Sequence, residues 1–189
     1  MKKVMLLGIN SKFVHTNIAI RYIKKYVEKY SDIEIEIFEK TINNHVEEII
    51  ADIYRKKPEI LMISAYIWNS EYVYKLITEV KKVFKNLTLV LGGPEVSYNA
   101  IELMNKYSEI DYIISGEGEK TTLEFLNKDK KDVKGLYYRE EDKIKFGGIR
   151  EGICDLDEIP FPYEVEEFSE KGKIFYYESS RGCPYSCSY

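Results

Sequence analysis

Cysteine is scarce in this chain: three among 189 residues. The number is odd and the positions (154, 183 and 187) are bunched toward one end, which excludes the paired framework of a small secreted fold and points to a reducing cytoplasm. Long apolar runs are absent too. None approaches the roughly 20 residues that a membrane-crossing helix needs. The apolar opening ends at Ile9 and is followed by Asn10, Ser11 and Lys12, without the longer core and small-residue cleavage site of a secretory signal. Nor is there a basic stripe. Lys and Arg number 28 against 32 Asp and Glu, for a net charge of -4, and the lysines are interleaved with glutamates. Neither nucleic acid nor a membrane is an expected partner. No internal repeat, low-complexity tract or Gly-Lys-Ser/Thr phosphate loop interrupts the pattern.

What is present is an alternation of strand and helix. Residues 4–8 form a continuous apolar run, as a strand covered on both faces should. Thr16 is placed to cap a helix in which Ile18, Ile20, Ile23 and Val27 lie near a 3.6-residue period. Residues 33–38 alternate strictly, the mark of a strand with one wetter face near an edge. Asn43 or Asn44 is the expected cap of the next helix. Strands follow at 60–64, 87–91 and 110–114, each succeeded by a helical segment. Five such units predict an α/β fold: a flavodoxin-like, doubly wound, five-stranded parallel sheet of order 2-1-3-4-5. After Asn127 the period changes. Residues 133–139 and 143–146 flank an acidic turn and read as a small C-terminal β-hairpin. Pro160 and Pro162 then mark an extended linker. The expected organisation is a domain over 1–128, hairpin and linker over 129–170, and the start of a further unit over 171–189, where residues 173–178 read as a strand feeding the cysteine loop.

In such a sheet ligands bind beyond the C-terminal strand ends, at the switch point between strands one and three. The loops there supply Asn10, Ser11, His15 and Thr16, then Ser64, Ala65 and Tyr66, then Gly92, Gly93, Pro94, Glu95 and Val96, then Gly116, Glu117, Gly118 and Glu119. The paired glycines serve either close approach by a bulky ligand or a tight strand-to-helix turn. The 116–119 loop either accepts hydrogen bonds from ligand amides or opens a helix with glutamates favourably set against its dipole. His15 stands near the switch point as a ligand contact or an ordinary loop histidine. Tyr66, Trp68 and Tyr98 suit a flat apolar ligand face or ordinary packing.

Cys183 and Cys187 are spaced Cys-x-x-x-Cys at the end of the sequence. Zinc needs two further ligands, and none is visible nearby. A disulfide formed on oxidation is a second reading. A third cysteine immediately after Tyr189 would complete a triplet able to hold three irons of a four-iron, four-sulfur cluster. The tail Glu178-Ser179-Ser180-Arg181-Gly182-Cys183-Pro184-Tyr185-Ser186-Cys187-Ser188-Tyr189 resembles the cluster loop of radical S-adenosylmethionine enzymes. Gly92-Gly93-Pro94-Glu95 and Gly116-Glu117-Gly118-Glu119 are similar to loops of the cobalamin-binding domain that precedes the barrel in one subgroup, as is the stretch from Ile9 to Asn17.

That resemblance implies an N-terminal cobalamin-binding domain, with cobalamin as its ligand over the C-terminal strand ends. It implies Cys183 and Cys187 as metal ligands of a 4Fe-4S cluster in a longer parent, whose barrel binds S-adenosylmethionine and is the domain's partner. The chain by itself would then be catalytically silent. The sequence departs from the Asp-x-His-x-x-Gly pattern of cobalamin mutases: around His15 the orienting Asp and the Gly are absent. His15 is therefore not expected to ligate cobalt. Tyr66, bulky beside the nucleotide-tail channel, is expected to tighten it. The alternative is a docking module of the same fold that no longer binds cobalamin.

Overall fold

A computed structural model describes residues 3–182 and 185. Cys183 and Cys187, the expected metal ligands, lie outside the described residues. The strands are β1 (Val4–Asn10), β2 (Ile35–Thr41), β3 (Ile60–Ser64), β4 (Thr88–Gly92), β5 (Tyr112–Ile114), β6 (Leu136–Glu140) and β7 (Lys143–Phe146). The helices are α1 (Ile18–Tyr30), α2 (Val46–Lys56), α3 (Ser70–Val83), α4 (Pro94–Ser97), α5 (Ala100–Lys106) and α6 (Gly118–Asn127). They form one sheet of order β2-β1-β3-β4-β5-β6-β7. The first five strands are parallel in the doubly wound order expected from the sequence, with β2 at the edge.

The hairpin is not a separate appendage. β6 pairs antiparallel with β5 through Ile113 and Tyr137, and β7 pairs with β6, so among the described residues the sheet has seven strands rather than five. The free edge of a parallel sheet offers unpaired amides and carbonyls, and the hairpin covers it. Leu136 is fully buried by this docking.

Successive residues of a strand face opposite sides, and each side has its own core. Under α2, α3 and α5 lie Met5, Leu7, Leu61, Ile63, Leu89 and Leu91. Under α1 and α6 lie Val4, Leu6, Met62, Val90 and Ile114, with Phe125 of α6 packed into the same cluster.

Two local expectations are corrected. Asn17, not Thr16, caps α1: its side chain accepts from the Ile20 amide at 3.3 Å. The Thr16 hydroxyl is instead 3.0 Å from the Tyr163 hydroxyl and donates to the Ile174 carbonyl. The cap of α2 is His45, without a side-chain bond, because the Asn44 carboxamide oxygen accepts from Thr41.

The expected linker is ordered against the domain. Its aromatics supply the reason: Phe161, Tyr163, Phe168 and Phe175 pack on one another with centroids 4.9 to 6.2 Å apart. The Arg21 guanidinium sits 5.1 Å over the Tyr163 ring. Residues 173–178, expected as a strand, make only an isolated parallel bridge between Ile174 and His15.

Candidate cofactor-binding cleft at the C-terminal strand ends

The pairing register builds the site. Gly8, Ser64, Gly92 and Ile114 are consecutive cross-strand partners on β1, β3, β4 and β5. One pleat deeper, the partners on the same face are Leu6, Met62, Val90 and Tyr112. Ser64 and Gly92, small and side by side, floor a trough at the C-terminal edge, and Leu6, Met62 and Val90 form its back wall. Gly8 is buried, with Asn17 and Ile20 3.0 Å from where a Cβ would stand, so its smallness lets α1 pack on β1. The trough opens into a cleft of about 640 Å³, walled by α1 through Ile18, Tyr22 and Ile23. The far wall is the loop from Gly116 to Glu119. That volume falls within the range of roughly 300–1,000 Å³ typical of small-molecule sites, and a mostly apolar lining with a few polar groups is their usual chemistry.

The structure divides the residues singled out from sequence into three groups. Ser64, Tyr66, Gly92, Gly93, Pro94, Gly116, Glu117, Gly118 and Glu119 line the cleft. Asn10, Ser11, His15 and Thr16 line a smaller hollow of about 230 Å³ with Trp68 and Tyr176, and Tyr66 is shared between the two. Ala65 and Val96 are buried in the core. Glu95 lies in the first turn of α4, its amide donating to the Ala65 carbonyl at 3.4 Å.

The adjacent glycines at the end of β4 do different work. Gly93 has φ +106°, and a Cβ there would lie 2.4 Å from the Ala65 carbonyl oxygen, so the turn itself demands glycine. Gly92 has only ordinary contacts around a built Cβ, the nearest at 3.8 Å, so its smallness serves the trough.

Polar groups around the trough are held by one another. The Asn17 carboxamide donates to the Ser64 hydroxyl at 2.8 Å. Asn69, buried beneath the β3 loop, accepts from the Tyr66 amide at 2.7 Å and donates to the Ile9 carbonyl at 3.0 Å. Ser115 donates to the Ser97 carbonyl at 3.1 Å. Tyr66 stacks on Trp68 at 5.6 Å and 10°, so these two aromatics face each other. Tyr98 is 95% exposed on the cleft's rim. His15 contacts the Tyr176 hydroxyl through Nδ1 and stacks on its ring. Among the described residues no group of three His, Cys, Asp or Glu is arranged to hold a metal ion, and no helix is long and apolar enough to cross a membrane.

The B12 binding domain family matches residues 4–126, well over half of the sequence. The chain belongs to that family. It is 31% identical to the cobalamin-dependent radical SAM methyltransferase TokK of Streptomyces tokunonensis, over 70% of this chain and 22% of TokK. It is 29% identical to an uncharacterised methyltransferase of Pyrococcus horikoshii, over 90% of this chain and 39% of that protein. It therefore spans well under half the length of these relatives. Among solved structures, the cobalamin-dependent S-adenosylmethionine radical enzyme OxsB with aqua-cobalamin bound superimposes with a TM-score of 0.72 over 86% of this chain and 24% of that one, at 17% identity. The methyltransferase TsrM of Kitasatospora setae gives 0.58 over 86% and 31%, also at 17% identity. These likenesses show a shared fold.

Residues that sequence reasoning missed complete this B12-binding domain. The mouth of its cleft is lined by Glu178, Ser180, Arg181 and Gly182, reached by the chain only after the aromatic cluster. Arg181 lies 2.5 Å from Glu119 and 2.8 Å from Glu178, with Glu117 at 3.6 Å. Glu119 has only 5% of its side chain exposed, so its charge is met by Arg181 rather than by water. Burial alone would lower the Arg181 pKa. The hydrogen bonds and charges of Glu119 and Glu178 outweigh it and hold the group above its ordinary value. Glu117 accepts from the Ile153 amide at 2.7 Å. The two glutamates of the 116–119 loop are thus occupied by later parts of the chain. Burial, with the Glu178 charge adding to it, raises Tyr66. Burial likewise raises Tyr22. Both phenols stay neutral beside the cleft. The signal for Ser64 and Gly92 was in the sequence, as small residues ending apolar strands. Nothing local to Arg181 pointed to Glu119, 62 residues away.

Proposed function

We propose that this domain binds cobalamin, with Ser64, Gly92, Gly93 and the loop from Gly116 to Glu119 as its contacts, mostly through backbone. The observation that carries this reading is the floor of Ser64 and Gly92 in one register, backed by Leu6, Met62 and Val90 and opening into a cleft of about 640 Å³. A broad ligand needs backbone it can approach closely, and Ser64 and Gly92 are small enough to allow it. Apolar residues behind suit the aromatic base of a nucleotide tail, and Tyr66 lines the same cleft. Cobalamin, when bound, supplies a cobalt able to carry a methyl group. The chain's own part would be to seat the cofactor and exclude water from the aromatic base of its tail. His15 is engaged by Tyr176 and lines the smaller hollow, which supports its having no role as a cobalt ligand.

In a longer parent, Cys183 and Cys187 would hold a 4Fe-4S cluster, with S-adenosylmethionine bound by a barrel that is this domain's partner. Gly182, directly before Cys183, lines the mouth of the cleft, in support of a cluster loop beside the cofactor. The domain then comprises 1–128, with 129–170 as the hairpin and docked linker and 171–189 leading into the barrel. The scarcity of cysteine supports a cytoplasmic setting.

Titration of the chain with hydroxocobalamin, followed by absorbance, should give a spectral shift with low-micromolar affinity. Met62→Trp, which fills the back wall, should abolish the shift while circular dichroism stays native. No shift at high cobalamin concentration, or binding untouched by that substitution, would overturn the reading in favour of a docking module without cofactor.

A further inference from the structure

Two anchors of different kind hold the segment that crosses the cleft. Near residue 174 the ties run through backbone. The Ile174 amide donates to the Val14 carbonyl at 2.7 Å, and its carbonyl accepts from the Thr16 hydroxyl at 2.9 Å. The Tyr176 amide donates to the buried Tyr163 hydroxyl at 3.0 Å. At Arg181 the tie is a side chain on the carboxylates of Glu119, in the first turn of α6, and Glu117, just before it. Between the anchors, residues 177–180 are exposed, yet Glu178, Ser180, Arg181 and Gly182 line the cleft. The segment therefore has solvent on its outer side, a cavity beneath it and an ion cluster at its far end.

We propose that residues 177–182 are a latch over the cleft, held shut by Arg181, and that a large ligand enters when this ion cluster opens. Both states are tolerable to the groups involved. Closed, Arg181 neutralises Glu119 at low exposure. Open, Arg181 returns to water, Glu119 is hydrated through the uncovered mouth at the positive end of α6, and Glu117 keeps the Ile153 amide. The backbone anchor at 174 stays in place, so the segment swings rather than detaches. The latch gates cobalamin only if the cleft is the cobalamin site, as read above.

Two measurements on the 189-residue chain test this. Arg181→Ala should raise the stopped-flow association rate of hydroxocobalamin about tenfold, the population change that follows from about 1.4 kcal/mol. Arg181→Lys, which keeps the charge but loses the fork, should fall between. Equal rates in all three proteins would overturn the gate. Without cofactor, chymotrypsin cleavage after the exposed Tyr177 reports the open population. It should quicken about tenfold in Arg181→Ala, and also in Glu119→Gln, which keeps the side-chain shape. Cleavage unchanged in both variants would overturn the latch. Should no form bind hydroxocobalamin, the cofactor reading falls and the cleavage rates alone decide whether the latch exists.

Discussion

The two faces of the sheet are made by the same strands and end differently. On one, Leu7, Ile63 and Leu91 remain large to the end of their strands and are sealed beneath α2, α3 and α5. On the other, Met62 and Val90 are followed, one pleat on, by Ser64 and Gly92, and the two helices above leave a cleft. The alternation of the pleat lets one strand serve a dense core and a ligand trough at the same level. Stability is expected to reside in the closed face, and binding in the open one.

The sharpest way to break this contrast is to cut the same kind of side chain from each face. Leu76 of α3, wholly buried in the closed core, should cost about 2–5 kcal/mol as Leu76→Ala. The folded fraction should keep its cobalamin affinity. Met62→Ala borders a cleft, so it should cost less stability and weaken binding. Urea unfolding and cofactor titration of both variants measure the difference. Equal stability losses with binding intact in both would dissolve the distinction.

A smaller effect separates two glycines of positive φ. Gly93→Ala forces a Cβ to 2.4 Å from the Ala65 carbonyl and should lose more than about 2 kcal/mol. Gly116, with φ +80°, has nothing within 4 Å of a built Cβ. Gly116→Ala should therefore lose only about 1 kcal/mol, from backbone strain alone. Thermal melts rank the two, and a reversed order would contradict the packing described for the β4 turn.

The smallest effect appears in alkali. Burial, helped by Glu95 and Tyr107, pushes Tyr74 on the closed face up from 10.0 to about 12. The folded state thus favours the neutral phenol more than the unfolded chain does. Its stability is complete below the unfolded pKa and declines as pH rises through about 12. Melting temperatures from pH 9 upward should fall less steeply in Tyr74→Phe than in the parent. Tyr66→Phe, at the cleft, should flatten the slope less.

Much of this architecture was legible in order and period. Apolar runs at 4–8, 60–64 and 87–91, spaced by helical segments, implied parallel pairing, and the wetter alternation of residues 33–38 placed β2 at the edge. The hairpin was legible as a hairpin but not as the sixth and seventh strands, because nothing in residues 136–146 names the edge they cover. Likewise, Pro160 and Pro162 spoke for an extended linker. Its docking depends on Tyr163 meeting Arg21 and Thr16, residues far back in the chain.

The amino-acid pattern alone determined the wound sheet, the loops at its C-terminal edge and the small residues that floor the trough, since local periodicity and side-chain size are properties of neighbours in sequence. Only the tertiary structure decided what closes the cleft and what neutralises it. Arg181 finds Glu119 because strand pairing and the aromatic cluster steer the chain back across α6. A contact between residues 62 positions apart leaves no local trace in composition or period.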